Sequence, residues 1–426
     1  MNQPNQETQK TNQEEIRGVW ICSPFNSTVL TSEKTIEDAI KFLADRGFNY
    51  VFPAVWNQGY TAFPSEVMES HGFPRQYTDY KAYKDGFDPL KTIIEEGRKH
   101  DIKVIPWLEY GFMASAKPDG DHIFKKYPKW AAKWSANSKK DKVIPDTHAW
   151  MNSLNKDVQD FMRDLILEIV EKYPGIAGIQ GDDHFPAMPM YTGYDDGTKE
   201  MYNKYLKDLK DHNKTKPEPC PPLGPKYPPK PEKDPDWDNW VTFRAEKLTE
   251  YLTKLSTEVR NKAKEVREQE IENLKKKKQN EDSKLTEEEL AEIEKKIENL
   301  KSDFIVSMAP SPFPYGLDKL MQNSDAWVEI VDRLHPQFYK SSFDDYKHEV
   351  KRITTEFKDA KDRKKYVPGI AFYANGKKLT RAEIVECVKH NRQEGLGGQV
   401  FFYYDYLREN DDAMAKALSD FWGKNS

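Results

Sequence analysis

Residues Asn155–Asp183 read NKDVQDFMRDLILEIVEKYPGIAGIQGDD, two periods in succession. Val158, Phe161, Leu165 and Ile169 recur at helical spacing over Lys156–Lys172, behind Asn155 as a helix cap. After Pro174-Gly175 the period breaks, and Ile176–Asp183 (IAGIQGDD) reads as a short buried strand ending on two carboxylates. Seven further runs of this kind surround it: Arg17–Ser23, Phe48–Trp56, Ile102–Tyr110, Phe304–Pro310, Val331–Tyr339, Tyr366–Tyr373 and Gly398–Asp405. Helical sequence separates them. Thr35–Arg46 puts Ile36, Ile40 and Leu43 on one face, Pro89–His100 opens on Asp88 and Pro89, and Thr380 with Glu383 forms a capping box. Strand then helix, eight times, predicts a (β/α)8 TIM barrel over residues 15–426. An open doubly wound sheet would carry a Gly-rich phosphate loop after its first strand, where this chain has CSPFNSTVL.

The connection between the fourth and fifth strands is too long for a plain loop and helix. We expect an insertion over 212–302, beginning as a Pro-rich extended loop at 216–235. It continues as a helical hairpin over about 240–301, with stripes Leu248, Leu252, Leu255, Val259 and Leu290, Ile293, Ile297, Leu300. The hairpin is expected to pack mainly on itself and to offer an arm to a protein partner. The Lys275–Lys278 run at its tip reads as a solvated surface.

Charge narrows the function. Against 66 Lys and Arg stand 71 Asp and Glu, which gives no electrostatic case for nucleic acid. Cys22, Cys220 and Cys387 form neither a zinc pair nor a disulfide framework. No apolar run suits a transmembrane helix. Residues 1–14 are a polar tail without a signal-peptide core. Rich in Asn, Gln and Thr, the tail suits a cell-surface or secreted protein whose signal has been removed, slightly more than a cytoplasmic one.

In a barrel, chemistry sits at the carboxyl ends of the strands. Those ends carry Trp20; Trp56 and Asn57; Trp107, Glu109 and Tyr110; Gln180, Asp182, Asp183 and His184; Gln337 and Tyr339; and Tyr403 and Asp405. Carboxylates, amides and planar rings line sugar sites, because rings stack on pyranose faces while acids and amides bind hydroxyls. Glycosidic hydrolysis needs one protonated and one ionised carboxyl across the bond. Alternation points Gln180, Asp182 and His184 one way and Asp183 the other. Asp182 is therefore the expected nucleophile or base, kept ionised by Gln180. Glu109 is the expected acid, with Asp183 and Asp405 in support. Trp20, Trp56, Asn57, Trp107, Tyr110, Gln180, His184, Gln337, Tyr339 and Tyr403 are expected to bind substrate. No HExxH occurs, and His122, His148, His184 and His335 read as hydrogen-bonding residues. We expect neither metal nor cofactor.

The stretches RGVWICS, FNYVFPAVWNQGYTAFPS and GIAGIQGDDHF, with the later HPQFYK and GLGGQVFFYYDYL, resemble glycosyl-hydrolase-like family ten, over about residues 15 to 425 apart from the insertion. The family's Arg-Gly-Val-Trp falls on Arg17–Trp20. Its strand-four motif falls on Gly178, Ile179, Asp182, Asp183 and Phe185, and its Trp-x-Glu on Trp107 and Glu109. The resemblance implies a TIM-barrel glycosidase of a mainly bacterial family, some of whose members act on peptidoglycan glycan strands. Relatives often end strand eight in Glu-Ser, where this chain has Asp405-Tyr406. The alternative is a carbohydrate-binding barrel without catalysis, docked through the helical arm.

Overall fold

The β-branched and aromatic runs become short parallel strands. In the computed structural model, which describes residues 14–78, 83, 85–117, 121–134, 148–211, 237–281 and 285–424, they form two sheets. The strands are β1 (Ile16–Ile21), β2 (Tyr50–Pro53), β3 (Lys103–Val104), β4 (Trp107–Leu108), β5 (Gly178–Gly181), β6 (Ile305–Met308), β7 (Arg333–Leu334), β8 (Gly369–Ala371) and β9 (Gly398–Phe402). One sheet runs β8-β9-β1-β2-β3 and the other β7-β6-β5-β4. Parallel bridges Ala54–Trp107 at one seam, and Leu334–Tyr366 and Gln337–Gly369 at the other, join them into a TIM-barrel-like arrangement. The third expected run divides at Pro106, which has no N–H for the ladder, although its carbonyl still accepts from Gln180 N at 2.9 Å.

Side-chain parity sorts the apolar residues into two cores. Ile16, Trp20 and Cys22 of the first strand, Tyr50 and Phe52 of the second, and Ile105 and Trp107 of the third face a common interior. Their neighbours Val19, Ile21, Val51, Val104 and Leu108 face the helices. The longer helices include α1 (Glu33–Ala44), α2 (Pro89–Lys99), α3 (Lys156–Lys172), α4 (Asp196–Asp211), α5 (Trp237–Glu281), α6 (Glu287–Lys301), α7 (Phe343–Glu356) and α8 (Arg381–Gln393), of which α1, α2, α3, α5, α7 and α8 contribute to this outer core. Asp88, Asn155 and Thr380 cap α2, α3 and α8 through side-chain hydrogen bonds.

Helix α5 departs from the expectation of a hairpin packed mainly on itself. Leu252, Leu255, Val259 and Ala263 are buried in the outer core alongside α3 residues. Higher up, Arg244 is fully buried between Trp237 and Trp240 and donates to the Met190 and Thr192 carbonyls at 2.8 and 3.0 Å. Burial pushes its pKa down to about 9. Lower down, Arg267 donates to Ile176 O at 2.6 Å and Ser302 O at 2.7 Å, tying α5 to the loops that feed β5 and β6. Helix α6 reaches α2 through Arg98–Glu292 (3.0 Å), and its Lys295 meets Asp101 (2.7 Å). The apolar stripe of α5 is thus wall material for the barrel.

Leu252→Ala should therefore cost roughly 2–5 kcal/mol of stability. Lys277→Ala on the exposed tip should stay within about 0.5 kcal/mol. Urea unfolding of both variants checks this, and equal small shifts would show that α5 is not core. The Pro-rich loop expected at 216–235 lies outside the described residues. Among the described residues no helix is long and apolar enough to cross a membrane.

Candidate active site

Parity that sends Ile105 and Trp107 inward also sends Glu109 inward, one step past the end of β4. Its carboxylate is buried and accepts from Asn57 Nδ2 at 2.8 Å and Ser23 N at 3.4 Å. Burial pushes its pKa up to about 7, against the pull of Asn57, Ser23 and His184. A carboxyl of that kind holds its proton near neutrality. Tyr110, half-buried beside it, is pushed up to about 12 by burial and then by the Glu109 charge.

Past β5 the expected alternation lapses. The strand ends at Gly181 and residues 183–186 form a turn, so consecutive side chains gather instead of diverging. Asp182 accepts from Gln337 Nε2 at 2.8 Å and from His184 Nδ1 at 2.9 Å. Asp183, expected to point away, meets the same His184 Nδ1 at 2.9 Å and accepts from Ser311 Oγ at 3.3 Å. Burial and the Asp183 charge raise the Asp182 pKa well above the usual carboxylate range. For Asp183 burial acts the same way, but His184 and hydrogen bonds from Asp182 and Gln337 together outweigh it and hold the group low. Burial disfavours the His184 imidazolium, yet the two acids, Asp183 first, raise its pKa well above normal. Asp182 is thus pushed toward its protonated form, and Asp183 and His184 toward their charged forms.

These three residues also bring one ligand-capable atom each within 4.8 Å of one another. His184 Nδ1, however, faces three acceptors, including the Glu109 carbonyl at 3.2 Å. In that setting a protonated Nδ1 donates to acceptors on each side.

Asp405 joins from the end of β9. It is half-buried, and burial raises its pKa against a hydrogen bond from Ser27. The buried Cys22 thiol is pushed well up by burial and then by the charges of Glu109, Asp405 and Asp182. Tyr339 stacks on Phe402 at 5.1 Å and feels Asp182 and Asp183. Tyr403, half-buried, packs on Phe402 and Tyr406.

Four expected substrate contacts stand elsewhere. Trp20, Trp107 and Gln180 are buried in the barrel interior: Trp20 lies 6.0 Å from Trp107 and donates to Gln180 Oε1 at 2.7 Å. Gln180 thus serves Trp20 and Ser307, not Asp182. Trp56 turns off the barrel where Trp56–Asn57 pairs with Tyr60–Thr61. Its Nε1 donates to Gly111 O at 2.8 Å and its ring lies on Phe161, in the outer core. His335 is buried against Phe52 and Trp20, and burial pushes it down to about 3. Sequence reading passed over Gln322. This buried amide accepts from Ser311 N (3.2 Å) and donates to Asp182 O (3.4 Å) and Pro186 O (3.2 Å), clamping the Asp-Asp turn. Nothing in its sequence neighbourhood signals that role.

A groove of about 480 Å³ lies at the opposite end of the barrel, between α2, α5 and α6. Two of its acids are spent on lysines, Asp101 on Lys295 and Glu14 on Lys103. The convergent acids are at the carboxyl ends of the strands, where we place the site.

A family model described as glycosyl hydrolase-like 10 matches residues 15–268, which include Glu109 and the Asp182–Asp183 turn. The chain belongs to the glycosyl hydrolase-like 10 family. Glycosyl hydrolase DigH of Escherichia coli (strain K12) is 23% identical over 230 residues, 47% of this chain and 48% of DigH. Glycosyl hydrolase YngK of Bacillus subtilis (strain 168) is 26% identical over 208 residues, 46% of this chain and 38% of YngK. The match thus spans about half the length of the first of these relatives and less of the second. Among solved structures, the PgaB (BpsB) glycoside hydrolase domain from Bordetella bronchiseptica aligns with a TM-score of 0.60 at 10% identity, covering 96% of this chain and 98% of that one. The alpha-L-fucosidase isoenzyme 2 from Paenibacillus thiaminolyticus aligns at 0.53 and 13% identity, over 96% of this chain and 49% of that one. At such identities the likeness speaks for the fold. This glycosyl hydrolase-like 10 chain therefore shares a barrel-type architecture with glycoside hydrolases, and its acids stand where that architecture puts chemistry.

Proposed function

We propose that the protein is a glycoside hydrolase that cleaves O-glycosidic bonds of a polysaccharide on a closed (β/α)8 barrel, by paired-carboxyl acid/base catalysis. One observation carries the reading. A buried Glu109, held near neutral pKa, shares one end of the barrel with an Asp pair whose two members are pushed in opposite directions. Two acids whose surroundings drive their pKa values apart can divide acid and base roles.

Glu109 then protonates the leaving oxygen. Asp183, ionised and the less buried of the pair, attacks the anomeric carbon or activates a water. Asp182 holds a proton toward Asp183 while accepting from Gln337, and His184 balances the remaining charge. Asp405 stabilises positive charge on the sugar ring. This assignment moves the base role expected of Asp182 to its neighbour, because the turn after Gly181 leaves Asp182 the more enclosed.

The pH dependence of kcat/KM tests it. Glu109 must be protonated, so the rate falls as pH rises through about 7. Asp183 must be ionised and its pKa is depressed, so the acid limb lies below about 4, the ordinary aspartate value. A rate that keeps rising above about pH 8 would sink Glu109 as the acid.

A further inference from the structure

Among the described residues the large aromatic side chains are mostly buried or half-buried, and four are exposed. Among the described residues, Phe25, Trp134, Tyr315 and Tyr373 are the exposed large aromatics. Each lies on a segment that follows the carboxyl end of a strand: β1, β4, β6 and β8 respectively. An exposed ring at the mouth of a site offers apolar area that the face of a bound sugar can cover.

Two of these rings relate directly to the acids. Phe25 is 38% exposed and meets Tyr77 edge-on at 5.1 Å; the buried Tyr77 hydroxyl in turn feels the Glu109 charge. Tyr315 is 47% exposed at the head of a short helix, and its hydroxyl feels Asp183. Counting along the sheets and the bridges that join them, with β3 and β4 as one strand, β1 and β6 are four strands apart in either direction. Ser23, just before Phe25, gives its N–H to Glu109 (3.4 Å), and Ser311, just before Tyr315, gives its hydroxyl to Asp183 (3.3 Å), so Phe25 belongs to the Glu109 side of the face and Tyr315 to the Asp183 side.

We propose that Phe25 and Tyr315 are stacking platforms for two sugar units of one polysaccharide chain, placed on either side of the carboxyl pair. The chain crosses the face from β1 to β6, with further sugar units between the two ring-held ones, and one of the bonds along that span lies over Glu109 and Asp183. Each ring covers the apolar face of one pyranose, while the acids and amides between them take the hydroxyls. This rests on the glycosidase reading and extends it to a requirement for a chain long enough to reach both rings.

The test is binding, measured by calorimetry in the Glu109→Gln background so that cleavage is slowed by about 10²- to 10⁴-fold. The probes are cello-, chito-, manno- and malto-oligosaccharides, as disaccharides and octasaccharides. Octasaccharides of the recognised type should bind about tenfold tighter than disaccharides, and Phe25→Ala or Tyr315→Ala should each weaken octasaccharide binding about fivefold. Tyr315→Phe keeps the ring and should keep the affinity. Thermal midpoints should fall by no more than about 2 °C, because both rings are partly exposed. The proposal is overturned if both alanine variants hold octasaccharides as tightly as the parent, or if no probe gains affinity with length, as on a surface built for a protein. Ring-dependent binding without cleavage by the unaltered chain would sink the hydrolase reading and leave this one standing. Cleavage with ring-independent binding would do the reverse.

Discussion

Glu109→Gln should lower kcat by about 10²- to 10⁴-fold on natural glycosidic bonds, the range general acid catalysis supplies. The amide keeps the shape of the carboxyl and can still accept from Asn57 and Ser23, so the fold should survive. What disappears is the proton for the leaving oxygen. Aryl glycosides with good leaving groups need little of that proton and should lose far less rate. The alkaline limb should vanish with it, because the group that titrates near pH 7 is gone. Comparing the two substrate classes across pH checks all three consequences. An equal loss on both classes would remove Glu109 from the acid role.

Asp183→Asn should be at least as damaging, because it removes the ionised carboxylate that attacks or activates. Asp182→Asn should cost less, about tenfold, because its work is to hold a proton and to accept from Gln337 and His184. KM should change little in either variant if the rings and amides carry binding. The order of the two losses decides between the geometry of the turn and simple strand alternation. If Asp182→Asn proves the more damaging, the alternation argument was the better guide and Asp183 is the supporting residue.

Much of the scaffold was legible because it rests on local chemistry. Caps at Asp88, Asn155 and Thr380 start helices where their side chains can accept backbone N–H groups. Inward parity through Ile105 and Trp107 to Glu109, and through Gln180 to Asp182, follows from a two-residue period. The same rule failed where strands end. At Gly181 the chain turns and brings Asp183 onto His184, while at Trp56 a new antiparallel pairing swings the indole into the outer core. Burial was the other blind spot. Aromatics at strand ends read equally well as barrel filling or as sugar platforms, and Trp20 and Trp107 fill the barrel. Exposed Phe25 and Tyr315, on segments with no period to read, carry no such mark in the sequence. Helix α5 misled for a related reason. An apolar stripe shows that a helix has a partner, not whether the partner is its own hairpin or α3.

The central claim is that Glu109 and Asp183 together break a glycosidic bond. Oligosaccharide digestion in ¹⁸O-labelled water, read by product mass spectrometry, tests it most directly. The unaltered chain should create one new reducing end per cleavage, with ¹⁸O on its anomeric carbon, and the Glu109→Gln/Asp183→Asn double variant should create none. Failure to cleave any polysaccharide offered, or equal ¹⁸O incorporation by the double variant, would contradict the account.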